Sequence, residues 1–484
     1  MGTATTSQIK VVELFAGVGG FRIGLENEIF KFVFSNQWEP SDSRQWASKV
    51  YESRFNTEEH INEDIHTVTK MVPDHDLLVG GFPCQDYSVA RTISGEMGIE
   101  GEKGKLWTPI KEIIRDAKIR PKLVLLENVP RLLNSPSKHR GLNFAVIVND
   151  FMTMGYDVEW RVIKASEYGM PQQRRRIFII AYRRPTNNSY YRNGPERFGP
   201  KSRCNGPMKK WLTGKGKPEN SHWDEGPLSK AFPIIGEIGK RQKFPSISEF
   251  AWNSKSSPFS KSGYAWKDNK RNSWLYSFNS NPVFEGVYQT LGDILVDDFD
   301  LDFVISDEEK LRMYAYIKGE QKEWRIRKSE RHLAEKIIDN HDSSLWDLYQ
   351  NCTKSYDTEK WRESRLDSRY KIGLEDELIY NYTAGAMAFP DSLDKASRTI
   401  VTAEIGRSVS RMRHVIEYEK GKFRRLMPIE LERLNQFPDN WTNIEGITDS
   451  KRGFLMGNAL VVGVVKRLSG PLAELIRDGV NNDA

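Results

Sequence analysis

Cysteine is scarce in this chain: 484 residues carry three, Cys84, Cys204 and Cys352. An odd number with no Cys-x-x-Cys pair excludes a disulfide-stapled scaffold and a zinc knuckle, and points to a reducing, cytoplasmic compartment. Long apolar runs are missing as well. None approaches the ~20 residues needed to cross a bilayer, and the opening MGTATTSQIK has no apolar core of a secretory signal. Strong charge bias is absent too: 72 basic against 66 acidic residues leave a formal charge of +6, only a modest lean towards a polyanionic partner. There are no internal repeats. The acidic run LGDILVDDFDLDFVISDEE (291–309) lacks the ligand spacing and glycine of a calcium loop, so it is read as a solvated face, and no metal site is expected.

What is present first is alternation. IKVVELF, FVFSN, HDLLVGGF, KLVLLENV, YDVEWRVI and RIFIIAY are short apolar runs, and amphipathic stretches such as LWTPIKEIIRDAKI (106–119) and NFAVIVNDFMTMG (143–155) lie between them. This pattern over residues 9–182 predicts an α/β fold with a doubly wound sheet. After Arg184 the composition turns to Pro, Gly, Asn and basic residues, which marks a domain boundary near 185. The stretches 252–276 and 310–330 interleave aromatic with basic residues, a pattern of solvated loops that also suits phosphate contacts and base stacking. ELERLNQFPDNWT (430–442) and NALVVGVVKRLSGPLAELI (458–476) return to helical patterns, the second a packing helix against the first domain.

Four motifs carry chemistry. In VVELFAGVGGFRIGLE a strand enters a glycine turn at Gly17, Gly19 and Gly20, where backbone can approach a ligand closely; Arg22 stands where a dinucleotide fingerprint wants its third glycine, which disfavours NAD. Gln37, Glu39 and Asp64 follow later strand ends and could complete an adenosine pocket. In LLVGGFPCQDYS, Gly80, Gly81 and Pro83 shape a bend that brings Cys84 to the top of the sheet. KLVLLENVP sets Glu127 and Asn128 where an apolar strand ends, placing a carboxylate for proton donation into the same crevice. In YGMPQQRRRIFIIAY, alternation turns Arg174 and Arg176 to the same side as Gln172, so two guanidiniums could hold a phosphate or a base carbonyl. Taken singly, each motif has a plainer account: a tight turn, a buried thiol, a helix cap, a basic strand start.

In this order, FAGVGG, GGFPCQ, LLENV, PQQRRR and a late GNALV resemble the DNA cytosine-5 methyltransferase family of bacterial restriction–modification systems, over roughly residues 1–184 and 398–475. The resemblance implies a Rossmann-like S-adenosylmethionine-dependent methyltransferase sheet with a second, mixed target recognition domain. Residues 1–184 would be the first part of the catalytic and cofactor-binding domain, 185–397 the target recognition domain and 398–484 the catalytic domain's completion. Cys84 would be the nucleophile, Glu127 would meet ring nitrogen 3, Asn128 would orient the loop, and Arg174 and Arg176 would hold the base carbonyl and the catalytic loop. Phe15, Ala16, Gly17, Gly19, Gly20, Gln37, Trp38, Asp64, Ile65, Pro83 and Asn458 would line the S-adenosylmethionine pocket. Gln37 stands where many members carry a ribose-binding glutamate, and Glu39 is the alternative. Gln85, Ser88 and Gln172 would contact DNA, and the glycine-rich segment 85–107 would close over the flipped base.

The implied partners are double-stranded DNA and, functionally, a cognate restriction endonuclease; a nucleoid-associated monomer is expected. A tRNA cytosine-5 methyltransferase using the same residues, or a DNA-binding protein without catalysis, are the other readings, the intact Cys84, Glu127 and arginines arguing against the last.

Overall fold

A computed structural model of the chain describes residues 8–55, 57–82, 106–136, 139–184, 226–235, 241–251, 256–267, 271–307, 309, 322–326, 379–383, 388–405 and 413–480. The chain divides into two compact units, one made of Met1–Val296, Leu393–Thr402 and Pro428–Ala484, the other of Asp297–Ser392 and Ala403–Met427.

The first unit is built on a ten-stranded sheet. Its strands β1 (Ile9–Leu14), β2 (Phe30–Asn36), β3 (His60–Ile61), β4 (Leu77–Gly81) and β5 (Leu123–Asn128) run parallel in the order β3-β2-β1-β4-β5. All but the short, half-buried β3 are apolar runs picked out by periodicity, and those four are largely buried on both faces, as a parallel sheet requires. Val12, Leu78, Val124 and Leu126 share one core cluster with Ile110, Ile113 and Ile114 of the helix Trp107–Asp116 and with Phe144, Ile147, Val148 and Phe151 of the helix Leu142–Thr153. Each such side chain contributes about 1.5–3 kcal/mol by leaving water. Val11, Val79 and Leu125 alternate with them along the strands and are equally buried.

The sheet then changes sense. Only residues 165–174 separate β6 (Tyr156–Lys164) from β7 (Arg175–Arg183), too few for a parallel crossover, which needs about a dozen or more. β7 therefore turns back antiparallel between β5 and β6. Strands Ser262–Lys267, Ser273–Phe278 and Gln242–Lys243 extend the sheet antiparallel beyond β6. Strand pairing thus carries this unit past the change of composition near 185.

The interleaved aromatics of 252–276 also fall differently from a base-stacking surface. Tyr264 and Trp266 are 4% and 2% exposed, and their rings stack on Tyr182 and Tyr276 at 6.4 and 5.5 Å. They alternate with Gly263 and Ala265, which face a crowded layer: a Cβ on Gly263 would lie 2.0 Å from the Trp160 ring. Alternation had a β period there, obscured by the flanking Lys and Asn.

In the second unit, Val415–Glu419 and Lys422–Arg425 form a hairpin turned by Gly421 at φ 77. Arg424 is buried with its guanidinium 4.7 Å from the Phe299 ring centre. Glu404 accepts the His414 N–H at 3.1 Å, and its carboxylate lies 3.1 Å from the ring Nδ1. Lys322–Ile326 and Ile379–Thr383 pair antiparallel. No helix among the described residues is long and apolar enough to cross a membrane.

Helix α1 (Gly20–Leu25) lies against the helix Val462–Val480, as expected for a C-terminal packing helix. A Cβ on Gly24 would sit 2.5 Å from Val465 Cβ, a branched atom that cannot swing away. Gly24→Ala is therefore expected to cost about 1–3 kcal/mol of stability through overpacking despite alanine's better helix propensity. A lower urea midpoint at unchanged slope measures it.

Candidate active site

Between β1 and β4 the winding of the sheet reverses, so the loops leaving their carboxyl ends diverge and open a crevice. The expected site residues gather on this edge. Phe15–Gly20 leave β1, Gln37–Glu39 leave β2, Asp64 follows β3, Phe82 leaves β4, and Glu127 and Asn128 end β5; β7, being antiparallel, begins here with Arg175 and Arg176.

The turn after β1 needs glycine for two different reasons. Phe15, Gly17 and Gly19 all have positive φ, at 55, 57 and 87°. A Cβ on Gly19 would lie 2.3 Å from the Phe55 ring, whereas one on Gly17 would meet no described residue within 4 Å. Glycine at 17 is thus required by its backbone conformation rather than by a close neighbour among the described residues. Phe15 carries the strain of a left-handed non-glycine residue, roughly 1–2 kcal/mol, and the Ala16 N–H bond to Asn36 O at 2.9 Å holds the turn beside it. Gly17 N–H donates to Gln37 Oε1 at 2.8 Å.

Arg22, in place of the dinucleotide fingerprint's glycine, is buried beneath this turn. It pairs with Glu26 at 2.8 Å and packs 4.5 Å from the Phe55 ring centre. Its Nη1 donates to the Tyr51 hydroxyl at 3.4 Å, and that hydroxyl donates to Glu13 Oε2 at 2.9 Å. Glu13 on β1 is fully buried, and burial pushes its pKa up to about 8. Sequence reading missed this group, because an acidic residue inside an apolar run gives no sign of its partners.

Glu127 lies opposite Gly81 in the parallel register. Its Oε1 is 2.7 Å from Arg176 Nε, and a Cβ on Gly81 would lie 3.2 Å from its Oε2, so glycine at 81 leaves room for the carboxylate. Asn128 is buried; its Nδ2 donates to Phe82 O at 2.9 Å and its Oδ1 accepts the Val129 N–H at 2.8 Å. The backbone two residues before Cys84 is thereby tied to the end of β5.

The two arginines separate. Arg176 meets Glu127, while Arg174 is buried and donates to Gly457 O at 2.8 Å and Ile400 O at 3.3 Å. Burial, with the Arg176 charge beside it, holds the Arg174 pKa below the ordinary arginine range. Gln172, expected to contact DNA, is instead 0% exposed. Its Nε2 donates to Asn435 Oδ1 at 2.9 Å and Leu434 O at 3.3 Å, and its Oε1 accepts the Ile400 N–H at 3.2 Å. Gln172 and Arg174 precede β7 and are covered together by residues 397–400 and 434–457, apart from Arg176. The amide of Gln172 is used inside the protein and cannot reach a duplex.

Around the glycine turn, Trp38 is 39% exposed and Ile65 is buried. Asp64 caps the short helix Ile65–Val68 by accepting the His66 N–H at 3.0 Å. Burial raises the Glu39 pKa despite Lys451, 3.8 Å away, which lies closer to Asp42 at 2.6 Å. Asn458 is exposed at the end of the helix Asp449–Asn458, and Leu460 just beyond it packs on Gly20, 3.0 Å from where a Cβ would stand. Trp441 Nε1 donates to Val18 O within the turn at 2.8 Å, a link across 423 residues that no local pattern signals. Pro83, Cys84, Gln85 and Ser88 lie outside the described residues. Among the described residues the Cβ side of Gly17 is open, and with the exposed Trp38 indole on the neighbouring loop it fits a cofactor that joins an amino acid to an aromatic base.

Comparison with known proteins agrees with this arrangement. A family model described as C-5 cytosine-specific DNA methylase matches residues 9–473. The chain is 36% identical to the type II methyltransferase M.Sau3AI of Staphylococcus aureus over 99% of its own length and 98% of that protein. It is 38% identical to the type II methyltransferase M1.ScrFI of Lactococcus lactis subsp. cremoris over 38% of this chain and 44% of that one. Identity to the type II methyltransferase M.HhaI of Haemophilus parahaemolyticus is 37%, over 37% of this chain and 50% of that one.

Glu13 yields a pH prediction. With its pKa moved from 4.5 to about 8, the folded chain keeps a proton that the unfolded chain has already released between those values. Its contribution to stability therefore declines as pH rises across that window. Glu13→Gln, which cannot ionise, is expected to gain urea resistance relative to the parent between about pH 5 and about pH 8; parallel midpoints over that range would show Glu13 ionised in the fold.

Proposed function

This chain belongs to the C-5 cytosine-specific DNA methylase family, and we propose that it methylates carbon 5 of a cytosine flipped out of a specific duplex DNA sequence, through a covalent adduct with Cys84. It is a cytosine-5 DNA methyltransferase of the type II kind; we further assign it as the modification partner of a restriction endonuclease. The observation that carries the mechanism is the Glu127 carboxylate, held by Arg176 at 2.7 Å and set beside Gly81, on the strand that leads into Cys84.

Carbon 5 of cytosine is too weak a nucleophile to take a methyl group directly, so sulfur must first add to carbon 6. Cys84 supplies it, and ionising an ordinary thiol at neutral pH costs only about 2 kcal/mol. Glu127 hydrogen-bonds ring nitrogen 3 and offsets the charge that develops as the sulfur–carbon bond forms. Asn128, through Phe82 O, fixes the backbone leading to the nucleophile. Arg176 orients Glu127 and faces the base carbonyl, whereas Arg174 braces the site from behind through its two backbone carbonyls.

S-adenosylmethionine, when bound, supplies an electrophilic methyl group. Ala16, Gly17, Gly19 and Gly20 would pass its methionine moiety, Phe15, Trp38, Asp64 and Ile65 its adenosine, and Pro83 and Asn458 would close the pocket. Once carbon 5 carries the methyl group it loses its proton, and elimination breaks the bond to Cys84 and restores the thiol. Flipping costs a few kcal/mol; Gln85, Ser88 and the rest of segment 85–107 would offset it by closing on the base. Residues in 185–397 would read the sequence from a duplex whose affinity comes largely from phosphate contacts.

Three experiments test this. Tritiated methyl label is expected in duplex DNA and not in tRNA, and DNA with 5-fluorocytosine at the target should give an adduct that survives denaturation with the parent and none with Cys84→Ser; label in RNA alone would overturn the assignment. Glu127→Gln should lower kcat by about 10²- to 10⁴-fold with a smaller change in DNA affinity, measured by single-turnover methylation and filter binding.

A further inference from the structure

Gln37 is tied down on every side but one. Its backbone N–H donates to Ile61 O at 3.2 Å, and its carbonyl accepts Asn62 Nδ2 at 2.5 Å. Asn62 also donates to Gln45 Oε1 at 3.1 Å, while Gln45 accepts the Glu39 N–H at 3.0 Å and returns its own amide to Glu39 O at 2.7 Å. The loop after β2 is thereby knit into a rigid base. From that base the Gln37 side chain reaches 20 residues back along the chain and takes the Gly17 N–H on Oε1 at 2.8 Å.

Chemistry fixes the amide's sense, since only the oxygen can accept an N–H. Nε2 makes no hydrogen bond among the described residues and remains a donor. Gly17 depends on this contact more than its neighbours do. Gly19 is wedged by Phe55 and Gly20 by Leu460, but among the described residues no atom lies within 4 Å of a Cβ position on Gly17, so none of them wedges its left-handed conformation from that side. Glu39, the other acidic candidate nearby, is directed to Lys451 and gives the turn nothing.

We propose that Gln37 is a positioning residue: its side-chain oxygen clamps the Gly17 N–H and holds the glycine turn, before any cofactor arrives, in the shape that receives S-adenosylmethionine. The proposal rests on the reading of that turn as the cofactor site. It departs from a direct role, because the atom that does the work points at the protein. A carboxylate in the same place would keep the clamp, whereas an apolar side chain of the same size would lose it.

Gln37→Leu and Gln37→Glu separate these cases. Deuterium exchange at the Gly17 amide, read by mass spectrometry on cofactor-free protein, reports the clamp itself; KM for S-adenosylmethionine and kcat on duplex DNA report its consequence. Gln37→Leu is expected to speed Gly17 exchange about tenfold or more and to raise KM about two- to tenfold, the worth of one hydrogen bond, with the loss falling on KM rather than kcat. Gln37→Glu should restore both. Unchanged Gly17 exchange in Gln37→Leu, or a Gln37→Glu protein as impaired as Gln37→Leu, overturns the clamp. A parent protein that binds no S-adenosylmethionine would overturn the cofactor-site reading instead, and the exchange comparison would still decide whether the clamp exists.

Discussion

The pairing of β1 with β4, from Val11 opposite Leu77 to Leu14 opposite Gly80, is the constraint on which the site depends. It ends both strands at nearly the same level, so that the glycine turn after Leu14 starts beside Gly81 and Phe82. The fit is close: a Cβ on Gly80 would lie 2.8 Å from Leu14 O. A slip of one residue would turn every side chain of β4 to the other face and carry Gly81 away from Glu127, closing the space in which that carboxylate now lies.

On the far side of β4, two neighbouring strands bring the acid and its cation together. Glu127 reaches the crevice because β5 is parallel to β4, and Arg176 reaches it because β7 runs the opposite way and so starts where β5 ends. The same reversal buries Arg174 and Gln172 against residues 397–400 and 434–457, joining three separate stretches of chain into one unit. A guanidinium and an amide that donate to carbonyl oxygens deep in the protein are costly to disturb, since each removed partner leaves a buried polar group unpaired. This edge of the sheet is therefore braced by the buried side chains of Arg174 and Gln172.

Beneath the glycine turn, polar groups replace what a dinucleotide-binding fold would fill with glycine and aliphatic packing. Arg22, Tyr51 and Glu13 form a connected chain of hydrogen bonds from α1 to β1, with Tyr51 also stacked on His60 at 4.3 Å. Burial keeps His60 neutral, with its pKa lowered to about 4, and its two ring nitrogens meet Ser35 and Ser48. A network of this kind rigidifies the support of the turn only while each member finds its partner. Gln37 complements it from above by holding the turn's exposed N–H.

Periodicity alone determined β1, β2, β4, β5, β6 and β7 and the helices Trp107–Asp116 and Leu142–Thr153, since β-branched apolar runs and amphipathic stretches are local properties of the chain; the short β3 and the helix Trp46–Phe55 gave no such signal. The same locality put Glu127 and Asn128 at a strand end and recognised the glycine turn as a place of close approach. Which elements pair was decided elsewhere. The antiparallel return of β7, the joining of 262–278 to the main sheet, the burial of Gln172, the Gly17–Gln37 bond and the Trp441–Val18 bond all connect residues whose neighbours in sequence carry no mark of the partner. An apolar or amide side chain records that it wants burial or a hydrogen bond; only the packed chain, by bringing distant surfaces together, chooses with what.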